Sequence, residues 1–215
     1  MKGSLYSLLL SCALLAASAA CQRPVERRSS EDARAAPPLN ANLSAPVRLV
    51  VEDAVGQAAY TVSYDPSYVK LGYPGGDVPL DRGVCSDVVV RAFRKADVDL
   101  QKEVHEDMKR AFALYPKKWG LTKPDTNIDH RRVPNLTTFF ERKGKALAVT
   151  NAGADYQPGD IVSWDLGGGV PHIGIVTDRW SEGEGVYLMA HNIGGGVKVE
   201  NVLFRWRITG HYRYF

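Results

Sequence analysis

Apolar residues recur at helical spacing through the first half of the chain and at alternate positions through the second. Val47, Val50, Val51, Ala54, Val55 and Ala58 fall on one face of a 3.6-residue period and predict a helix over 47–58. Val84, Val88, Val89, Ala92, Phe93 and Ala96 predict a second helix beginning beside Cys85. Leu100, Val104, Met108, Ala111, Phe112 and Tyr115 predict a third, stopped by Pro116. Pro134 opens a short fourth helix over 134–143, closed by Gly144. From there the period becomes two. Residues 160–164, 172–177, 186–191, 197–203 and 208–214 read as strands separated by glycine-rich turns. Residues 68–79 are dense in turn formers, and 117–132 are polar and irregular. Helices first and a strand meander second predict an α+β domain, with N-terminal helices packed on an antiparallel sheet.

Composition narrows the reading. The chain has 215 residues, 45% of them hydrophobic, which excludes a disordered or collagen-like protein. A net charge of +3, with no basic stripe, gives no ground for nucleic-acid binding. Met1-Lys2 followed by an apolar run from Leu5 to Ala20 reads as a secretory signal, its core too short for a membrane span. The run ends Ser18-Ala19-Ala20-Cys21, similar to a bacterial lipoprotein cleavage box but with serine where leucine is usual. Two outcomes stay open, lipidation of Cys21 or simple cleavage. Residues 21–45, rich in Arg, Ser, Ala, Pro and Asn, read as a disordered tether. The expected layout is therefore a signal over 1–20, a tether over 21–45 and one folded domain over 46–215. The protein is expected to be exported, periplasmic or membrane-anchored, meeting the membrane only through such a lipid, and monomeric.

Three cysteines cannot make a disulfide framework. Cys12 lies in the signal and Cys21 at its end, so Cys85 is the one thiol of the folded domain. It falls at the start of an amphipathic helix, where backbone N–H groups and the helix dipole favour a thiolate. That position predicts a lowered pKa and alkylation faster than a free thiol. A thiolate nucleophile needs a base, and the base needs an orienter. His172 opens a strand after the turn 167–171, and the next strand ends in His191-Asn192. A lone histidine on a strand is more often structural. The order Cys, His, polar residue on a helix start and adjacent strands is the stronger signal.

The runs Pro158-Gly-Asp160-Ile-Val-Ser-Trp164, Pro171-His172-Ile-Gly174-Ile-Val176 and Ala190-His191-Asn192 resemble the NlpC-type branch of the papain-like cysteine peptidases. Gly83-Val-Cys85-Ser86-Asp87 looks like that superfamily's nucleophile motif, although its members usually show Cys-Ser-Gly. Other stretches resemble, more narrowly, the family catalogued as domain of unknown function 1287. These are Tyr73-Pro-Gly-Gly-Asp77-Val-Pro79, Val104-His105-Glu-Asp107-Met, Asn127-Ile-Asp129-His130-Arg131-Arg132-Val-Pro-Asn135-Leu and His191-Asn192-Ile-Gly194. The resemblance implies a papain-like fold with Cys85 as nucleophile, His172 as general base and His191 as orienter, Asn192 being the other candidate for that role. Adjacent strand residues point to opposite faces, so only one of the two can reach His172. Backbone N–H groups near Cys85, with Ser86, would stabilise an oxyanion. Hydrolysis of amide bonds is implied, in peptides or in the peptide stems of peptidoglycan, with no cofactor and no metal.

Several polar residues are candidate substrate contacts. Arg131, beside His130, offers the bidentate geometry that clamps a carboxylate, against a reading of 129–132 as a solvated or salt-bridged loop. Tyr68, Tyr73 and Asp77 precede the nucleophile and could wall its cleft, or simply form a turn. Ser86 and Asp87 flank the nucleophile in sequence. His105 reads as a packed or surface residue, and the glycine runs 167–169 and 194–196 as turns rather than phosphate loops. Three other functions remain open from sequence: a non-catalytic cell-wall binding domain, an acyltransferase with the same nucleophile, and a metal-dependent hydrolase using Cys85, His172, His191 and an aspartate. Close-spaced ligand pairs typical of the last are missing from the sequence.

Overall fold

A computed structural model describes residues 43–215. The signal, Cys12, Cys21 and nearly all of the expected tether lie outside the described residues. Helix α1 (Ala45–Gly56) begins with Pro46 in its first turn, where a missing N–H costs nothing, and buries Val50, Val51 and Ala54. α2 (Cys85–Lys95) buries Val88, Val89, Val90, Ala92 and Phe93 and ends in Arg94 and Lys95, which complement its dipole. α3 (Leu100–Ala111) is capped by the Asp99 side chain, which accepts from the Gln101 N–H at 3.1 Å. α4 (Val133–Arg142) again carries proline in its first turn and buries Leu136, Phe139 and Phe140.

The main sheet has six strands: β3 (Ala146–Leu147), β4 (Ile161–Asp165), β5 (Pro171–Ser181), β6 (Val186–Asn192), β7 (Val197–Glu200) and β8 (Arg207–Tyr212). Their order is β3-β8-β4-β5-β6-β7 and every pairing is antiparallel. The expected α+β class holds. One face of the sheet presents Ile161, Ile173, Ile175, Ala190 and Tyr212 to the helices, where they join Val89, Phe93, Leu136, Phe139 and Phe140 in the larger core. The other face carries Val162, Trp164, Val176 and Met189 under Tyr156, Val202 and Leu203. Alternation along each strand thus fills two cores, because loops cover the face that the helices leave bare.

Several details depart from the sequence pattern, among them the unexpected strand β3 and the end of β8 at Tyr212 rather than 214. The third helix stops at Ala111, and a 3-10 turn over Phe112–Leu114 takes up the rest. β5 runs four residues past the expected 177, through a register shift between Val176 and Trp180. The strand expected over 197–203 ends at Glu200, since Val202 and Leu203 leave the sheet to fill the second core. There the Leu203 carbonyl accepts from Trp164 Nε1 at 2.9 Å. Finally, β1 (Ser63–Tyr64) and β2 (Arg82–Gly83), too short to alternate, form a parallel pair that carries Tyr64 to the start of α2.

Candidate active site

The N-terminus of α2 is fixed from three sides. Asp87 reaches back to accept from the Val84 N–H at 2.7 Å, and Arg131 grips its carboxylate with Nε and Nη2, each at 3.0 Å. Ser86 donates to the Arg131 carbonyl at 2.7 Å. Asn192, at the end of β6, donates to the carbonyls of Gly83 and Ser63 at 3.0 and 3.1 Å, which ties the preceding loop to the sheet. These bonds leave Cys85 against the first residues of β5, with the Ile173 N–H directed at its sulfur. The Tyr64 hydroxyl lies beside the same side chain.

Cys85 is only 3% exposed and is a free thiol. Burial pushes its pKa up to about 12, outweighing the backbone N–H groups of Ile173, Ser86 and Cys85 itself. The lowered pKa expected of a helix start is therefore corrected for the closed site. Desolvation of a charge costs more than a few amide dipoles return. Tyr64 is also pushed up to about 12, mainly by burial and then by Cys85.

His172 and His191 lie on the sheet face away from α2, on neighbouring strands. His172 Nε2 and His191 Nδ1 are 2.9 Å apart, and His191 Nε2 lies 3.1 Å from Glu200 Oε1. Space for this arrangement comes from Gly174. A Cβ there would fall 2.9 Å from the Ala190 carbonyl oxygen and 3.1 Å from His191 Cβ. Trp164 lies tilted beside His172, and Trp206 stands edge-on to both imidazoles, so the pair sits in an apolar sleeve. Burial lowers the pKa of His172 to about 3, with the neighbouring His191 adding to the effect. His191 is also lowered by burial, against the opposing pull of Glu200. Both rings are thus neutral at rest. Among the described hydrogen bonds none joins Cys85 to His172, and none engages Nδ1 of His172.

The geometry separates the two candidates at the end of β6. His191 faces His172, while Asn192 points the other way and binds backbone. The family model described as "Domain of unknown function (DUF1287)" matches residues 51–214. The chain belongs to this family. It is 56% identical over 182 residues to "Uncharacterized protein YijF" of Escherichia coli (strain K12), covering 84% of this chain and 88% of that one. Among solved structures it is similar to NlpC1 from Trichomonas vaginalis, with a TM-score of 0.38 and 16% identity. That similarity covers 79% of this chain and 42% of the other, so the chain spans about two fifths of NlpC1.

Most of the other expected site residues of this DUF1287 chain are turned inward. Ser86, Asp87, His130 and Arg131 are buried, and Arg131 also donates to the carbonyls of Ser67 and Asp65. The segment 129–131 is therefore salt-bridged, as the plainer reading of it expected, but buried rather than solvated, and it is no open carboxylate clamp. Asp77 is held by Arg91 through Nε and Nη2, at 2.8 and 3.1 Å. Ser86, Asp87, Arg131 and Asp77 are thus internal ties rather than an open substrate surface, and His130 is buried with its Nδ1 unpartnered. Tyr73 is exposed, edge-on to His105. Two residues at the site lay outside the sequence reading. Tyr64 reaches Cys85 through a two-residue strand that no periodicity announces. Glu200 had a signal: it sits one glycine hairpin past His191, out of phase with Val197 and Val199, hence on the histidine's face.

Proposed function

We propose that this protein is a cysteine hydrolase with a papain-like, NlpC-type arrangement, cleaving amide bonds. The single observation that carries the reading is the His172–His191 contact. It occupies Nε2 of His172 and leaves Nδ1 as the free basic atom, on the strand against which Cys85 is packed. In this mechanism Cys85 and His172, on opposite faces of β5 at its first residues, meet around the open start of that strand. The thiol gives its proton to His172 Nδ1 as sulfur attacks the substrate carbonyl, forming a tetrahedral oxyanion. Backbone N–H groups at the start of α2 stabilise that charge. His172 then protonates the leaving amine, the C–N bond breaks, and a thioester remains on Cys85. Water attacks the thioester, His172 takes its proton, and the acid product leaves with the thiol restored.

The resting site holds thiol and imidazole in neutral form, because burial penalises both charges. Proton transfer therefore belongs to the substrate-bound site, where the developing charges form next to one another. The proposed substrates are the peptide stems of peptidoglycan, the amide-rich polymer that an exported bacterial protein meets. Export over residues 1–20 is part of the same proposal.

The test is mass spectrometry of the products released from purified sacculi by wild type and by Cys85→Ala. New amino termini are expected with wild type only, the variant being slower on the order of 10⁴-fold or more. Equal digestion by both would end the cysteine-hydrolase reading, and the masses released identify the bond.

A further inference from the structure

We propose that Glu200 is a positioning residue that sets which nitrogen of His172 is basic, acting through His191. The inference deepens the hydrolase reading and rests on it. Glu200 Oε1 lies 3.1 Å from His191 Nε2, and a carboxylate only accepts, so that nitrogen carries the proton. In a neutral ring Nδ1 of His191 is then a lone pair. Its contact with His172 Nε2 at 2.9 Å requires the proton on His172 Nε2. Nδ1 of His172 is left unprotonated, which is the state a base must have. The carboxylate thus fixes two tautomers in series without approaching the thiol.

Register supports the assignment. Glu200 pairs with Met189 across β6 and β7, diagonal to His191 on the same face, within reach of a glutamate. The other charges facing His191 are Lys198, directly across from it, and Arg205, whose guanidinium stacks on Trp206. Neither can accept a proton from Nε2. Without the carboxylate His191 is free to carry its proton on Nδ1, which would force His172 to hold its own on Nδ1, the wrong end.

The experiment compares wild type, Glu200→Ala and Glu200→Gln. Imidazole ¹⁵N shifts of His172 and His191 report the tautomers, and kcat and KM are measured on stem peptides released from sacculi. Glu200→Ala should move both rings away from the Nε2–H tautomer and lower kcat by about 10- to 100-fold, the range for a lost hydrogen-bond orienter, with KM unchanged. Glu200→Gln, whose amide oxygen still accepts, should recover most of both signals. The side chain is 36% exposed, so both variants should keep the wild-type melting temperature within a few degrees. Unchanged tautomers in Glu200→Ala, with or without a fall in kcat, would overturn the proposal. Shifted tautomers in a protein whose wild type cleaves nothing would uphold the assignment and remove the hydrolase reading instead.

Discussion

Two buried histidine clusters sit on the same sheet and are built for different ends. At the β5–β6–β7 end, His172 has one ring nitrogen bound to His191 and one in none of the described hydrogen bonds, and a free thiol is packed beside its strand. At the β4–β8 end, His211 has both nitrogens engaged, Nε2 with Asp160 at 2.7 Å and Nδ1 with the Ala148 carbonyl at 3.2 Å. Asp160 is further bound by Arg213 through Nε and Nη2, each at 2.7 Å, and the His211 ring stacks on Tyr156. A histidine with every nitrogen satisfied holds structure together. One with a nitrogen to spare beside a nucleophile can move a proton.

Exchanging the substitutions breaks this comparison most sharply. His172→Ala should lower kcat on the order of 10⁴-fold while the protein stays folded. His211→Ala should leave kcat of the folded fraction within a few fold, yet cost roughly 1–3 kcal/mol in stability by removing a hydrogen-bond partner of buried Asp160. Urea unfolding paired with steady-state kinetics reads both effects. An inactive, fully stable His211→Ala would invert the assignment of the two clusters.

Gly174 gives the next effect. Its missing side chain lets His191 and Trp164 approach β5, and an added Cβ would meet the Ala190 carbonyl oxygen at 2.9 Å. Gly174→Ala should cost roughly 1–3 kcal/mol, the range for overpacking a filled core. It should also lower kcat, because β6 moves away from His172. Wild-type kcat in this variant, at reduced stability, would show that the histidine contact tolerates displacement.

Acid should also report on the His172 end. The folded pKa of His172 is about 3, below its ordinary 6.5. Below about pH 6.5 the unfolded chain therefore binds a proton that the folded chain refuses, and stability falls as pH drops from about 6.5 towards 3. The same sign holds for His130, also lowered by burial to about 3. Between pH 7 and pH 5, His172 alone should account for about 2 kcal/mol of the loss. His172→Gln should flatten that slope by a comparable amount in urea titrations at the two pH values. An unchanged slope would mean that the ring is charged or solvated in the native state.

Most of this architecture was legible because the periodicities are physical. The apolar helix faces and the alternating strands bury most of what their spacing says they bury. The placement of Cys85 at a helix start and of His172 at a strand start was readable from the same spacing. Short elements carry no period, so the β1–β2 pair and Tyr64 were not legible. Nor was the inward turn of Asp87 and Arg131: a charged residue in a loop is usually solvated, and only tertiary packing shows that these two neutralise one another. Glu200 lay between these cases, visible in the phase of its strand but not in any motif.

The smallest expected effect concerns the thiol itself. A helix N-terminus alone argues for a fast-reacting Cys85, whereas its burial under Tyr64 argues for a slow one. With the pKa pushed up to about 12, the thiolate fraction near pH 8 is far below that of a free cysteine, and access is restricted as well. Iodoacetamide should label native wild type more than about tenfold slower than urea-unfolded protein at the same pH. Tyr64, 38% exposed, can be removed without opening the helical core. Tyr64→Ala should therefore raise the native labelling rate severalfold while leaving the unfolding midpoint nearly unchanged. Fast labelling of wild type would show that the helix dipole outweighs burial at Cys85. The contrast between the two ends of the sheet would then include a pre-formed thiolate at one of them.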